Sequence, residues 1–361
     1  GLPGLASAEP VTQLWALADR IRRQPALRAL FTDSSAETIL ARLDDDDCRE
    51  FKHAFTDYLE RWGFRSSGEL MLTTPTPQED PLPVLRLLKS YVGSQAMSPQ
   101  HQTRVQQRAR EAATAALAAH LSPPGWRSVP LLSQASRFRL LLAATQGAIK
   151  LRERARMKQA LLYTRLRHIA LQLGARLTER GLLQQPDDIF LLTLPEVRSM
   201  VAGAAADLAP AIESRRQEQQ AFSTCTPPDR IVLGPGEQWQ PDEADQHDEA
   251  CAAPTKTLRG NGACGGAAAG EAAVVLDVAY ADRVQDGQIL VTRQTDPGWA
   301  TVFFLVRGLV IERGGMLSHG AIIAREYGIP AVVGVPEATR LIRDGDRVRV
   351  DGDQGLVELN T

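Results

Sequence analysis

The chain has 361 residues, 43% of them hydrophobic and 23% charged, with a formal net charge of −2 and a pI near 6.4. That length allows two or three domains with their own cores, and the charge balance leaves no basic footprint for nucleic acid. No apolar run nears the roughly 18 residues of a membrane span. The four cysteines, far apart and without a Cys-x-x-Cys pair, suggest neither a disulfide framework nor a zinc site, which fits a cytoplasmic protein.

Residues 1–222 are dominated by Ala, Leu, Arg, Gln and Glu, with helical periodicity and few β-branched runs, and predict an all-α domain. The start, Gly1-Leu2-Pro3-Gly4, has neither an initiator Met nor a signal-peptide pattern, which fits a processed or excised piece. Ser34 with Glu37 has the spacing of a capping box and predicts a helix running toward Asp44–Asp47. Residues 101–121 and 135–182 read as long helices without the sustained heptads of a coiled coil, and 187–198 as a short turn into another helix. On the longest helix Arg152 and Arg156 are i,i+4 neighbours able to grip a phosphoryl group from two sides. Arg154 and Lys158 form a second such pair, and the alternative for either is a solvated basic face.

Between about 223 and 256 the composition shifts to Pro, Gly, Asp, Glu and Gln, the chemistry of a flexible linker that spans a few tens of Å as a coil. Cys225, Cys251 and Cys264 sit in or near it and are expected to be exposed thiols. His53, His101, His120, His168 and His247 have no metal-ligand spacing, and no metal site is predicted.

Residues 257–361 change character to short strands. Gly260–Gly270 marks the entry, and Gly287–Thr292 and Gly308–Glu312 have strand patterns, the first leading into Thr295-Asp296-Pro297-Gly298-Trp299. Gly314-Gly315 breaks the second, Ser318 is a suitable N-cap, and residues 320–327 are helix-competent. Gly328 suits the position past a helix end, Pro330 prevents continuation, and Ala331–Val335 is a short buried strand. Gly345–Gly352 and Gly355–Leu359 read as two closing strands around a tight turn. His319 therefore stands at a helix N-terminus, whose unpaired N–H groups and partial positive charge favour an anion. A neutral imidazole there is either a nucleophile toward phosphorus or an ordinary residue at a helix start.

The stretch Gly314-Gly315-Met316-Leu317-Ser318-His319-Gly320, followed by an apolar run, Ala324-Arg325-Glu326 and Gly328-Ile329-Pro330-Ala331-Val332-Val333, resembles the swivelling phosphohistidine domain of the phosphoenolpyruvate-utilising enzymes. The resemblance implies a β/β/α fold for 257–361 and makes His319 the phosphorylated residue, with Ser318, Gly320 and the helix N-terminus steadying the phosphoryl charge. Tyr58–Leu70 resembles the family's Gly-x-Arg-x-x-Gly-Glu segment, in which Arg65 and Glu69 either line an acceptor pocket or pin the turn between helices. The segment around Arg152 and Arg156 resembles the Arg-Glu-x-x-basic stretch that faces the phosphohistidine in the rifampin phosphotransferase branch. Here Arg156 stands where Lys is usual, and Ala155 replaces a common Pro.

The domain order, with a helical acceptor-binding region first and the phosphohistidine domain last, is similar to that of the rifampin phosphotransferases and prodigiosin-forming ligases. The pyruvate-acting branch instead carries a barrel after the phosphohistidine domain. No Walker or other Gly-rich phosphate loop is present, so the resemblance implies that ATP and Mg²⁺ bind at an ATP-grasp domain or subunit outside these residues. The expected activity is a phosphotransferase relay from ATP through phospho-His319 to a small organic acceptor, not chargeable by ATP without that partner. The alternatives are a ligase working through an acyl phosphate, and a non-catalytic binding or scaffold module.

Overall fold

The computed structural model describes residues 9–66, 68–94, 98–122, 133–203, 207–224, 233, 234, 236 and 257–360. The chain divides into two compact units, Gly1–Tyr163 together with Pro254–Thr361, and Thr164–Ala253. The expected linker over 223–256 lies for the most part outside the described residues, as do Cys225 and Cys251.

The helical part of the first unit is built on apolar stripes at helical spacing. In α1 (Glu9–Arg23) the buried face is Val11, Leu14, Trp15, Ala18 and Ile21, with α2 (Pro25–Asp33) and α3 (Ala36–Ala41) following. Next, α4 (Arg49–Trp62) buries Phe51, Phe55, Tyr58 and Trp62, and α5 (Leu82–Gly93) buries Leu85, Leu88 and Tyr91. Recurrence at i, i+3, i+4 and i+7 places each set on one side of its helix, and the sets meet in one core. Phe51 meets the Phe31 ring at 5.2 Å, and Trp15 meets Tyr91 at 5.7 Å. The capping box expected from Ser34 is displaced by one residue. Ser35 caps α3 by accepting from the Thr38 amide at 3.2 Å, while Ser34 ends α2, a separate helix whose start is marked by Pro25. Two long helices follow, α6 (Pro99–His120) and α7 (Gln134–Glu179), close to their expected bounds.

The second unit takes the end of α7 from Thr164, a 3₁₀ turn at Pro186–Leu191, α8 (Leu194–Val201) and α9 (Ala209–Thr224). Leu177, Leu183, Ile189, Met200 and Ile212 form its core. Buried Asp188 accepts from the amides of Gln184 and Gln185 and from Arg216 at 2.6 Å, so its charge is paired.

The sheet part of the first unit has eight strands in the order β1-β8-β7-β3-β4-β5-β6-β2. In chain order they are β1 (Thr257–Arg259), β2 (Asn261–Cys264), β3 (Ala267–Val274), β4 (Ile289–Thr292), β5 (Gly308–Ile311), β6 (Ala331–Val333), β7 (Arg347–Asp351) and β8 (Leu356–Asn360). The long β3 serves two layers. Ala267–Glu271 pairs antiparallel with β7, and Ala272–Val274 pairs parallel with β4. Strands β4, β5 and β6 are parallel and buried on both faces, as their uninterrupted apolar runs require. Ile289, Val291 and Val310 point into the core shared with Val348, Val350 and Val357. Leu290, Leu309 and Ile311 point the other way, into the core that includes α10 (His319–Tyr327) and the helical part. The short α11 (Ala338–Leu341) completes this part. An all-α region thus precedes a mixed-sheet region, as the composition and strand pattern predict. Cys264, expected as an exposed thiol beside the linker, instead lies half-buried in β2, and burial pushes its thiol up.

Candidate functional site

His319 opens α10, immediately after the turn that follows β5. The helix ends on Gly328 at φ 67, the left-handed conformation that glycine adopts without strain, and Pro330 follows. Ser318 occupies the N-cap position, but its hydroxyl does not cap the helix. Its Oγ is buried and has no hydrogen-bond partner among the described residues. Gly320 is required by close approach, since a Cβ there would lie 2.3 Å from Ile311 Cδ1 and 2.7 Å from Thr295 Oγ1.

His319 is half-buried as a residue, yet both ring nitrogens are shut off from solvent and lack hydrogen-bond partners among the described residues. Its ring lies over Phe303, with centroids 6.2 Å apart and planes inclined by 29°. Burial, reinforced by the guanidiniums of Arg65, Arg156 and Arg152, pushes its pKa down to about 3. The imidazole is therefore neutral near pH 7, with a lone pair available to phosphorus. Three cations facing a neutral base leave a positive field where a phosphoryl dianion would sit.

The arginines whose charges act on His319 come from two elements. Arg152 and Arg156 stand about one turn apart on α7 and are exposed, as is the second basic pair considered, Arg154 and Lys158, which does not figure among the charges on His319. Arg65 comes from the loop after α4, and its Nη1 stands 3.0 Å from Glu69 Oε1, with the two side chains 8% and 2% exposed. Burial pushes the Glu69 carboxyl up to about 7; Arg65 and Arg156 oppose this, and Asp296 and Glu153 add to it. Neither Glu69 oxygen has a directed hydrogen bond among the described residues.

Three hydrogen bonds tie the helical and sheet parts of this unit together around the site. The Gly68 amide donates to Asp296 Oδ2 at 3.1 Å, and Gln102 Nε2 donates to the Tyr327 carbonyl at 2.7 Å. The buried Tyr91 hydroxyl donates to the Thr301 carbonyl. Asp296 also accepts from the Gly298 amide at 2.9 Å, which caps the 3₁₀ segment Pro297–Phe304. Beside Arg65 lies a cavity of about 300 Å³, walled by Val11, Tyr58, Trp62 and Val84 from the helices and by Ala300 and Val302 from the 3₁₀ segment.

All seven residues singled out in the sequence thus lie in the first unit, and the charges of Arg65, Arg156 and Arg152 bear on His319. Sequence reasoning missed Thr295, whose buried hydroxyl faces Gly320 without a partner among the described residues, and Phe303, which lies against the imidazole. The Thr-Asp-Pro-x-Trp loop was the only available signal for Thr295. Phe303 had none, because it reads as one of several apolar residues. Among the described residues, no group of three or more His, Cys, Asp or Glu side chains could hold a metal, and no helix is long and apolar enough to cross a membrane.

Residues 284–355 match the family model of the PEP-utilising enzyme, mobile domain, and residues 1–153 that of the rifampicin phosphotransferase fourth domain. A rifampicin phosphotransferase of Streptomyces sviceus is 33% identical over 371 residues, covering 99% of this chain and 40% of the relative. A rifampicin phosphotransferase of Bacillus cereus is 28% identical, covering 95% and 38%, and an uncharacterized protein of Mycobacterium tuberculosis is 30% identical, covering 99% and 37%. The chain spans about 40% of the length of the first of these relatives.

Proposed function

Because the chain belongs to the phosphoenolpyruvate-utilising enzymes, on their rifampicin phosphotransferase branch, we propose that it is the delivery half of a phosphohistidine relay. The observation that carries this reading is a half-buried His319, its ring nitrogens shut off from solvent, held neutral by burial and by the charges of Arg65, Arg156 and Arg152. In the charging step the imidazole lone pair attacks a phosphoryl group of ATP held with Mg²⁺ at an ATP-grasp domain, and the P–O bond to the nucleotide breaks. Mobility of the sheet domain then brings phospho-His319 to the helical part. There an acceptor oxygen attacks phosphorus, the P–N bond breaks, and its electron pair returns to the ring.

Arg65, Arg152 and Arg156 would hold the three phosphoryl oxygens as charge shifts between nitrogen and acceptor. The buried hydroxyls of Ser318 and Thr295 are spare donors for the same oxygens. A cavity of about 300 Å³ beside Arg65, with apolar walls, suits the apolar body of a small organic acceptor. Rifampicin, the compound in the relatives' name, is the first acceptor to try.

The test is to incubate the chain with an ATP-grasp domain and labelled ATP, then to add rifampicin. Acid-labile label on His319 that passes to rifampicin, and that His319→Ala abolishes, is the expected result. Equal labelling of wild type and His319→Ala would sink the relay. Label that stays on His319 would exclude rifampicin as the acceptor.

A further inference from the structure

We propose that Glu69 is the general base of the delivery step, taking the proton that the acceptor hydroxyl loses as its oxygen attacks phosphorus on His319. The proposal rests on the relay above and adds a group that the relay leaves unassigned. When the hydroxyl attacks, an O–P bond forms and the P–N bond breaks, its pair returning to the imidazole. The hydroxyl proton must go to a base beside the phosphoryl group.

Few groups there can receive it. Guanidiniums have no lone pair to offer. The ring nitrogen that releases phosphorus is the leaving group, and burial among three arginines makes His319 a poor base. Asp296 is occupied by the amides of Gly68 and Gly298. Glu153 faces Arg152 at 3.8 Å and is 15% exposed.

Glu69 differs from these carboxylates in three ways. Its side chain is 2% exposed, and among the described residues both of its oxygens lack directed hydrogen bonds and its one ion pair is with Arg65, which also acts on His319. A second cation, Arg156, acts on both groups as well. The amide of Gly68, next to Glu69, donates to Asp296, and the hydroxyl of the adjoining Thr295 would stand 2.7 Å from a Cβ on Gly320, next to His319, so the carboxyl and the imidazole are held on joined segments of one closed site. A carboxyl brought to about 7, by burial first and by Asp296 and Glu153, against Arg65 and Arg156, is matched to proton uptake near neutral pH.

The test separates nucleophiles that must lose a proton in the attack from one that need not. The chain is charged chemically with phosphoramidate and its phosphorylation at His319 is read by mass spectrometry. Discharge is then followed with ethanol, read as ethyl phosphate, and with hydroxylamine, whose nitrogen attacks through a free lone pair. Glu69→Gln is expected to charge normally and to discharge to hydroxylamine within about threefold of wild type. Its discharge to ethanol should fall about 10²- to 10⁴-fold, the usual contribution of a general base. The wild-type ethanol rate should rise with pH through about 7 as Glu69 loses its proton, and Glu69→Gln should lose that rise. Glu69→Asp should recover part of the ethanol rate.

Equal ethanol discharge by wild type and Glu69→Gln, with the same pH profile, overturns the proposal and leaves the relay standing. Parallel loss with both nucleophiles also overturns it, because that is the mark of a collapsed site. If His319 in the wild-type chain takes no phosphoryl group at all, the relay fails and this proposal falls with it.

Discussion

Arg65 Nη1 stands 3.0 Å from Glu69 Oε1 with both side chains almost sealed from solvent. The same guanidinium heads the charges that act on His319. One cation therefore holds a carboxyl and an imidazole in opposite senses, favouring the charged form of Glu69 and the neutral form of His319. Removing one partner of a buried ion pair costs about 3–5 kcal/mol when the other charge is stranded. Glu69 can escape that full cost by taking up a proton, since its pKa already lies at about 7. Arg65→Met is thus expected to lower stability by about 2 kcal/mol at pH 7 and to move the Glu69 carboxyl further up. Urea unfolding together with carboxyl titration by NMR checks both. An unchanged carboxyl pKa would show that the pair is not coupled.

The two groups also set opposing pH dependences. His319 falls from 6.5 to about 3 on folding, so between those values the unfolded chain holds a proton that the folded chain lacks. Stability from this source is lost as pH falls below 6.5. Glu69 rises from 4.5 to about 7, so the folded chain holds the extra proton, and stability from that source is lost as pH rises. Where the windows overlap, from pH 4.5 to 6.5, the two slopes oppose, each limited to about 1.4 kcal/mol per pH unit. Relative to wild type, His319→Phe should therefore lose stability as pH rises through this window, and Glu69→Gln should gain it. Urea midpoints at pH 4.5, 5.5 and 6.5 decide the matter; the same sign for both variants would refute it.

The strand–turn–helix unit around His319 was legible because each boundary has a local cause. Ser318, Gly328 and Pro330 mark where α10 starts and stops, and apolar runs mark β5 and β6. Arg152 and Arg156 were legible as a pair because i,i+4 spacing fixes one face of a helix. That Arg65 joins them was not legible, since it lies 87 residues before Arg152 and its approach depends on how the loop after α4 packs on the sheet part. The Ser34 cap was misplaced by one position because adjacent serines compete, and only the backbone turn between α2 and α3 decides between them. The near-isolation of the Glu69 oxygens had no sequence signal, because burial arises from long-range packing.

Gly320 offers a packing test beside the imidazole. A methyl there would stand 2.3 Å from Ile311 Cδ1 and 2.7 Å from Thr295 Oγ1, forcing α10 away from β5. Gly320→Ala is expected to cost about 1–3 kcal/mol, the usual range for overpacking a closed site. Gly315, five residues earlier, has no atom within 4 Å of the equivalent position, so Gly315→Ala should stay within about 0.5 kcal/mol of wild type. Thermal or urea unfolding of the pair is the check, and equal effects would mean that α10 yields without cost.

Tyr91 supplies one polar contact across the seam between the helical and sheet parts of the first unit. The side chain is fully buried in α5, and its hydroxyl donates to the Thr301 carbonyl in the 3₁₀ segment. Tyr91→Phe keeps the ring but removes that buried hydrogen bond, at a cost of about 0.5–1.5 kcal/mol. Gln102→Ala should act in the same direction by freeing the Tyr327 carbonyl at the end of α10. The β7–β8 hairpin has its own antiparallel ladder and does not depend on either contact. Amide hydrogen exchange should therefore quicken in Pro297–Phe304 and His319–Tyr327 while β7 and β8 keep their protection. Uniform acceleration through the hairpin would mean that the two parts fold as one cooperative body, and that parting the seam unfolds the sheet rather than freeing it to carry His319 elsewhere.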